Sequence, residues 1–180
     1  MKTKKMVFTA LFIALSFVTT YAIKFSTPTG GYIHFGDLSV LMSGMLLGPV
    51  YGAIAAGLGS ALADIIGGYG IYAPATLIIK ASMAFAVGSL YKKLNGEDRM
   101  MNQGIRIILH SVLAYSILVA GYFFTKVILV SIGYSTGTGG AFVIAASGIP
   151  ANSLQVSFGI VASFIFYIPL KKPFNDIYNN

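Results

Sequence analysis

The sequence predicts an all-α integral membrane protein of six transmembrane helices with both termini cytoplasmic. Three observations carry this. Of 180 residues, 56% are hydrophobic and only 9% are charged, with a mean hydropathy of +0.80. A soluble domain carries roughly 25% charged residues, so this chain has too few polar groups to cover a soluble surface. The apolar residues fall into runs near the length needed to cross a bilayer. The cations alternate by side: Lys2, Lys4, Lys5, Lys92, Lys93, Arg99, Arg106, Lys171 and Lys172 share one face once the runs are folded back and forth. Cytoplasmic flanks are rich in Lys and Arg, so that face is inside. His34, Asp37, Asp64, Lys80 and Lys126 fall toward the outside.

The first span runs from about Met6 to Ile23. Its MKTKK start resembles a signal peptide, but the run is long, holds Tyr21 and lacks a small-x-small cleavage site, so it reads as a retained span. The second, from Asp37 to Leu47, is too short to cross perpendicularly and stops at Gly48-Pro49. The third covers Val50 to Ile66, the fourth Pro74 to Leu90, the fifth Ile105 to Leu129 and the sixth Pro150 to Leu170. Together they read as a single transmembrane domain over residues 1–180.

The loops on the outer side are Phe25 to Gly36, Gly67 to Ala73 and Ser131 to Ile149. Each pairs glycines with aromatics: Gly30-Gly31-Tyr32, Gly67-Gly68-Tyr69, and Gly139-Gly140 before Phe142. Glycine allows close backbone approach and aromatic rings supply flat contact area. Ordinary turns beside interfacial aromatics would look the same; three such loops on one side suggest a ligand lid.

Small residues recur every four positions: Ala10 and Ala14 in the first span, Gly52, Ala56, Ser60 and Asp64 in the third, Lys80, Ala84 and Gly88 in the fourth. Such stripes let helices approach closely in lipid. They carry Asp64 and Lys80 onto packed faces, where the two could form a structural salt bridge. Charges inside spans are costly and usually face a cavity or a partner. Lys24 reads as an anchor reaching the interface, and Lys126 suits either that role or a binding one. Asp37 suits the start of a helix, and His34 beside it is an ordinary loop histidine or a ligand group. Asn152 and Gln155 share a face in the outer half of the sixth span, where two amides imply hydrogen bonding. His110 lies toward the inner end of the fifth span and is read as structural.

Enzyme motifs are lacking. The chain has no G-x-x-x-x-G-K-[ST], no H-E-x-x-H and no G-x-S-x-G. With no Cys and two separated His, no metal site is expected, and no cofactor or catalytic residue is assigned. The net charge of +7 lies in short flanks and not in one stripe, which fits membrane orientation and not nucleic acid.

Two stretches resemble a known family. Thr27-Pro28-Thr29-Gly30-Gly31-Tyr32-Ile33-His34-Phe35-Gly36-Asp37 with Leu46-Leu47-Gly48-Pro49-Val50-Tyr51-Gly52 is one. Gly59-Ser60-Ala61-Leu62-Ala63-Asp64, Gly67-Gly68-Tyr69 and Tyr72-Ala73-Pro74-Ala75-Thr76 through Lys80 is the other. Both are similar to the substrate-binding S components of energy-coupling factor transporters. The resemblance implies a vitamin-binding subunit in the bacterial cell membrane. It would dock on one transmembrane coupling protein and two ATPases, which alone bind ATP, and would topple to deliver its ligand. It gives Ala10 and Ala14 the docking role and makes the loop between the first two spans a lid. The lid looks most like the hydroxymethylpyrimidine and pyridoxine branch, with riboflavin as the alternative ligand. A self-sufficient secondary transporter is the alternative class; it commonly shows internal repeats, and none is clear here. The expected ligand contacts are Tyr32, His34, Phe35, Asp37, Asp64, Tyr69, Tyr72, Lys80, Lys126, Asn152 and Gln155, with the lid residues closing over a small heteroaromatic.

Overall fold

The computed structural model describes residues 2–27, 32–96, 103–133 and 137–179. In chain order these form α1 (Lys2–Tyr21), β1 (Lys24–Ser26), β2 (Tyr32–His34), α2 (Gly36–Leu47) and α3 (Pro49–Ile66). They continue with α4 (Ala73–Gly96), α5 (Gln103–Gly133), α6 (Gly137–Ala146) and α7 (Ile149–Asn179). Among the described residues, five helical stretches are long and apolar enough to cross a membrane: Thr3–Tyr21, Pro49–Ile66, Ala73–Leu94, Ile105–Gly133 and Gly139–Phe174. The chain is a helical, multi-pass membrane protein. Its apolar outer faces agree, with Met6, Ile78, Val112, Val143 and Ile165 all largely exposed.

The centre of the bundle is α2, which packs against α1, α3, α4 and α7. Eleven of its residues, from Gly36 to Leu47 except Leu38, are buried. A helix apolar all round is a core helix, and this explains its length. The run that was too short for a lipid-facing span is wrapped by its neighbours instead. It ends at Gly48, whose φ of 82° is open to glycine and costly for other residues. Pro49 follows as the first residue of α3, where its missing N–H is not needed.

The small-residue stripes are the packing seams. Ala56, Ser60 and Asp64 of α3 are buried, as are Lys80 and Ala84 of α4. A Cβ on Gly88 would lie 2.6 Å from the Gly44 carbonyl oxygen, and one on Gly52 would meet the Ser43 carbonyl at 2.6 Å. Glycine at these crossings lets backbones touch, which is how helices associate where no hydrophobic force drives them together.

Three features depart from the sequence-based expectation. The loop after α1 is an antiparallel pair with Lys24 opposite His34 and Ser26 opposite Tyr32, so the molecule is not purely α. Its connecting Pro28, Thr29, Gly30 and Gly31 lie outside the described residues. The run read as a long outer loop before the last span contains α6, which packs on α5 through buried Ala141 and Ala145. Helix α7 continues through Pro169 and Pro173 to Asn179. Edge-to-face contacts of Phe174 and Tyr178 with Phe8, at 5.0 and 5.7 Å, hold this end in place.

Candidate functional site: a tyrosine-lined cleft over a buried ion pair

A cleft of ≈ 640 Å³, counting its open mouth, lies at the hairpin end of the bundle. Strand β2 contributes Tyr32 and His34, and α3 contributes Asp64 from the last turn of its buried stripe. Tyr69 and Tyr72 come from the α3–α4 turn, Thr76 from α4, and Tyr122 and Lys126 from α5. Gly148, Ala151, Asn152 and Gln155 close the far wall at the start of α7, and Thr27 lies at the rim.

Beneath this lining lies an ion pair with neither partner exposed: Lys80 Nζ binds Asp37 Oδ1. The other carboxylate oxygen of Asp37 accepts a 2.8 Å hydrogen bond from Gln155 Nε2. Gly159, one turn further along α7, makes this possible, because a Cβ there would lie 2.5 Å from that of Asp37. The Lys80 ammonium also faces the Tyr122 ring, 5.3 Å from its centroid. A buried charge needs such company.

The pairing differs from the expected one. Asp64 does not take Lys80 as its partner; it accepts a hydrogen bond from the Tyr32 hydroxyl. The helix geometry explains this: Asp37, at the first turn of the central helix, is deeper than Asp64, which sits near the hairpin. Burial and the Asp64 carboxylate raise the Tyr32 phenol above the usual tyrosine range. His34 accepts the Gly36 N–H at Nδ1, 2.9 Å away. Burial, with the positive charge of Lys80, pushes its pKa down to about 3, so it is the neutral imidazole.

Of the residues expected to contact a ligand, Tyr32, His34, Asp64, Tyr69, Tyr72, Lys126, Asn152 and Gln155 line the cleft. Lys80 and Asp37 lie behind the lining, bound to each other. Phe35 turns to Phe158, edge to face at 4.4 Å, because it precedes α2 on the side that meets α7. Lys24, expected to reach the interface, lies over the rings of Tyr21, Tyr32 and Tyr69 at 4.8, 5.7 and 5.8 Å. Ala10 and Ala14 are on the exposed face of α1. Thr27, Thr76, Tyr122, Gly148 and Ala151 line the cleft too and were not among the expected contacts. Tyr122 looks like one more aromatic in an apolar span, but it lies four residues before Lys126, one turn of the same helix face.

Among the described residues no group of His, Asp or Glu could hold a metal ion. The cleft of this multi-pass membrane protein presents hydrogen-bonding side chains and aromatic rings. The chain matches the model of the family "ECF-type riboflavin transporter, S component" over residues 1–172, and it belongs to that family of energy-coupling factor transporter subunits. A protein of Pyrococcus woesei, described as "Uncharacterized protein in gap 3'region", is 39% identical over 126 residues, covering 69% of this chain and 75% of that protein.

Proposed function

We propose that the chain is the high-affinity ligand-binding subunit of an ATP-driven vitamin importer. In this reading it crosses the membrane six times with both termini in the cytoplasm, and the cleft opens outward. It takes a single-ring, hydroxylated nitrogen heteroaromatic of the pyridoxine or hydroxymethylpyrimidine kind. The hairpin closes over the ligand, and the exposed Ala10/Ala14 face docks on the coupling protein. Delivery follows by toppling, powered by two partner ATPases.

The observation that carries the ligand class is the lining. It holds four tyrosines, two amides, a lysine, a histidine and a carboxylate, with no Leu, Ile, Val, Met or Phe among the described lining residues. Tyrosines stack on a flat ring while their hydroxyls reach polar substituents. A ligand with a large apolar end would want aliphatic contacts. A phosphorylated or dicarboxylate ligand would want Arg, the residue suited to bidentate recognition, and no Arg is among the described lining residues. The name of the matching family favours a second reading, riboflavin.

The test is to purify the protein from rich medium, denature it, and identify released small molecules by mass spectrometry. Calorimetric titration with pyridoxine, hydroxymethylpyrimidine and riboflavin follows. Recovery and tight binding of a single-ring vitamin is expected. Binding of riboflavin alone overturns the ligand and keeps the subunit class. Uptake by this chain in vesicles without any partner would instead make it a self-sufficient transporter.

A further inference from the structure

We infer that His34 is a fixed hydrogen-bond donor to the ligand: its Nε2–H faces the cleft and selects a ring edge with a bare lone pair, an unprotonated ring nitrogen or a carbonyl oxygen. This deepens the binding role proposed above, on which it rests.

The backbone sets the proton. A peptide N–H can only donate, and the Gly36 N–H lies 2.9 Å from His34 Nδ1. Nδ1 therefore holds a lone pair, and the neutral ring carries its proton on Nε2. Burial, with the positive charge of Lys80, keeps the ring neutral, so no second proton arrives at Nδ1.

The packing sets the direction. A Cβ on Gly36 would lie 2.7 Å from Nδ1 and 3.0 Å from Cε1 of His34, so the Nδ1–Cε1 edge of the ring rests on Gly36. The Tyr32 ring lies beside it, with centroids 5.3 Å apart. His34 lines the cleft, and the edge left to do so is the opposite one, which carries Nε2. The two carboxylates of the site have other partners. Asp37 accepts from Lys80 and Gln155, and Asp64 accepts from the Tyr32 hydroxyl. Among the described residues, none accepts from His34 Nε2. Gly36 is thus a positioning residue: its N–H holds the ring, and its missing side chain gives the ring room.

A ligand hydroxyl can turn to donate or accept, so a fixed donor does not select for it. A ring nitrogen or a carbonyl cannot turn. A lone pair opposite Nε2 completes a hydrogen bond, whereas a C–H, an N–H or a protonated ring nitrogen there strands the imidazole proton. Pyridoxine in its hydroxypyridine form, hydroxymethylpyrimidine and riboflavin all offer such a ring nitrogen.

The first measurement needs no ligand. With heavy nitrogen in the two histidines, NMR correlations between ring nitrogens and ring protons at neutral pH tell which nitrogen is protonated. His110 is the internal control: its Nδ1 faces the Arg106 carbonyl, which can only accept, so that ring carries its proton on Nδ1. His34 is expected to show the opposite form, with His110→Gln assigning the signals. A proton on His34 Nδ1 overturns the inference.

The second measurement is calorimetric, with pyridoxine, hydroxymethylpyrimidine and riboflavin as probes. Whichever binds wild-type protein should bind His34→Asn roughly tenfold to hundredfold more weakly, the range for one unmade buried hydrogen bond. Asn keeps an acceptor for the Gly36 N–H but is too short to bring a donor to the place of Nε2. His34→Gln reaches that place with an N–H and should recover most of the loss. Undiminished binding by His34→Asn overturns the inference, as does a loss that His34→Gln leaves unrecovered. If pyridoxine binds, its analogue with C–H in place of the ring nitrogen should bind wild type more weakly by the same factor, and His34→Asn should not distinguish the two. Equal binding of both by wild type overturns the inference. Binding of none of the three probes counts against the proposed ligands, and the NMR result then decides the donor.

Discussion

At the scale of single residues, two charges and one imidazole set the energetics. Lys80 and Asp37 are fully buried and bonded to each other. Removing one partner strands the other, which costs about 3–5 kcal/mol, whereas an apolar replacement of both is often neutral. Lys80→Met should therefore lower the unfolding temperature in detergent far more than the double variant Asp37→Leu/Lys80→Met. A double variant as unstable as the single one would show that the pair is not the unit. His34 gives a pH dependence. Its folded-state pKa is depressed, to about 3, against about 6.5 in an unfolded chain. The unfolded state binds the extra proton, so the stability contribution is full above pH 6.5 and declines as pH falls toward 3, at up to about 1.4 kcal/mol per unit. Protonation would also remove the acceptor that holds the Gly36 N–H. His34→Asn keeps an acceptor and cannot titrate, so its unfolding midpoint should lose most of the wild-type slope between pH 6.5 and 4.

At the scale of elements, the legible part of the fold was the part written with a period. The four-residue recurrence from Gly52 to Asp64 and from Lys80 to Gly88 marks faces that the structure buries. What the period does not carry is the partner. Asp37 and Lys80 are 43 residues apart, and only the path of α2 through the middle of the bundle decides that Asp37 reaches the lysine before Asp64 does. The glycine-rich stretch before α7 reads as a loop because glycine disfavours helices in isolation. Burial of Ala141 and Ala145 against α5 overrides that preference. The exposed side of α1 belongs to this scale as well. Ala10 and Ala14 lie there, flanked by exposed Met6, Leu11 and Val18. Ala10→Trp and Ala14→Trp should leave ligand affinity in detergent within about twofold. Because close helix approach needs small residues, both should abolish ATP-driven uptake in vesicles holding the partner subunits. Unimpaired uptake would place docking elsewhere.

At the scale of the whole molecule, the paired lysines at the helix ends sort to one side and the cleft, with Lys24, Lys80 and Lys126, to the other. Lys4 and Lys5 of α1, Lys92 and Lys93 of α4, and Lys171 and Lys172 of α7 lie at the ends remote from the hairpin. In the orientation proposed above, those ends are cytoplasmic and the cleft faces outward. The chain has no Cys, so single cysteines report side directly. Asn95→Cys and Gly137→Cys should react from opposite sides with an impermeant thiol reagent in right-side-out vesicles. Equal reaction from outside would refute the orientation.

The continuation of α7 past its two prolines has a consequence for water. The central helix stops after 12 residues, about 18 Å at 1.5 Å each against a hydrocarbon layer of about 30 Å. The last carbonyls of α2 have no partners within their own helix, and a short core helix leaves them at a depth where solvent entry would breach the bundle. Tyr178 is the stopper: its ring is buried, and its hydroxyl points at the Leu47 carbonyl, 3.5 Å away. Lys5 lies over both Tyr178 and Tyr51 at 6.0 and 5.7 Å and caps the plug with a hydrated charge. Deuterium should therefore reach the amides of the Leu46–Gly52 stretch slowly in the intact protein and many times faster in Tyr178→Ala, while exchange around the cleft stays unchanged.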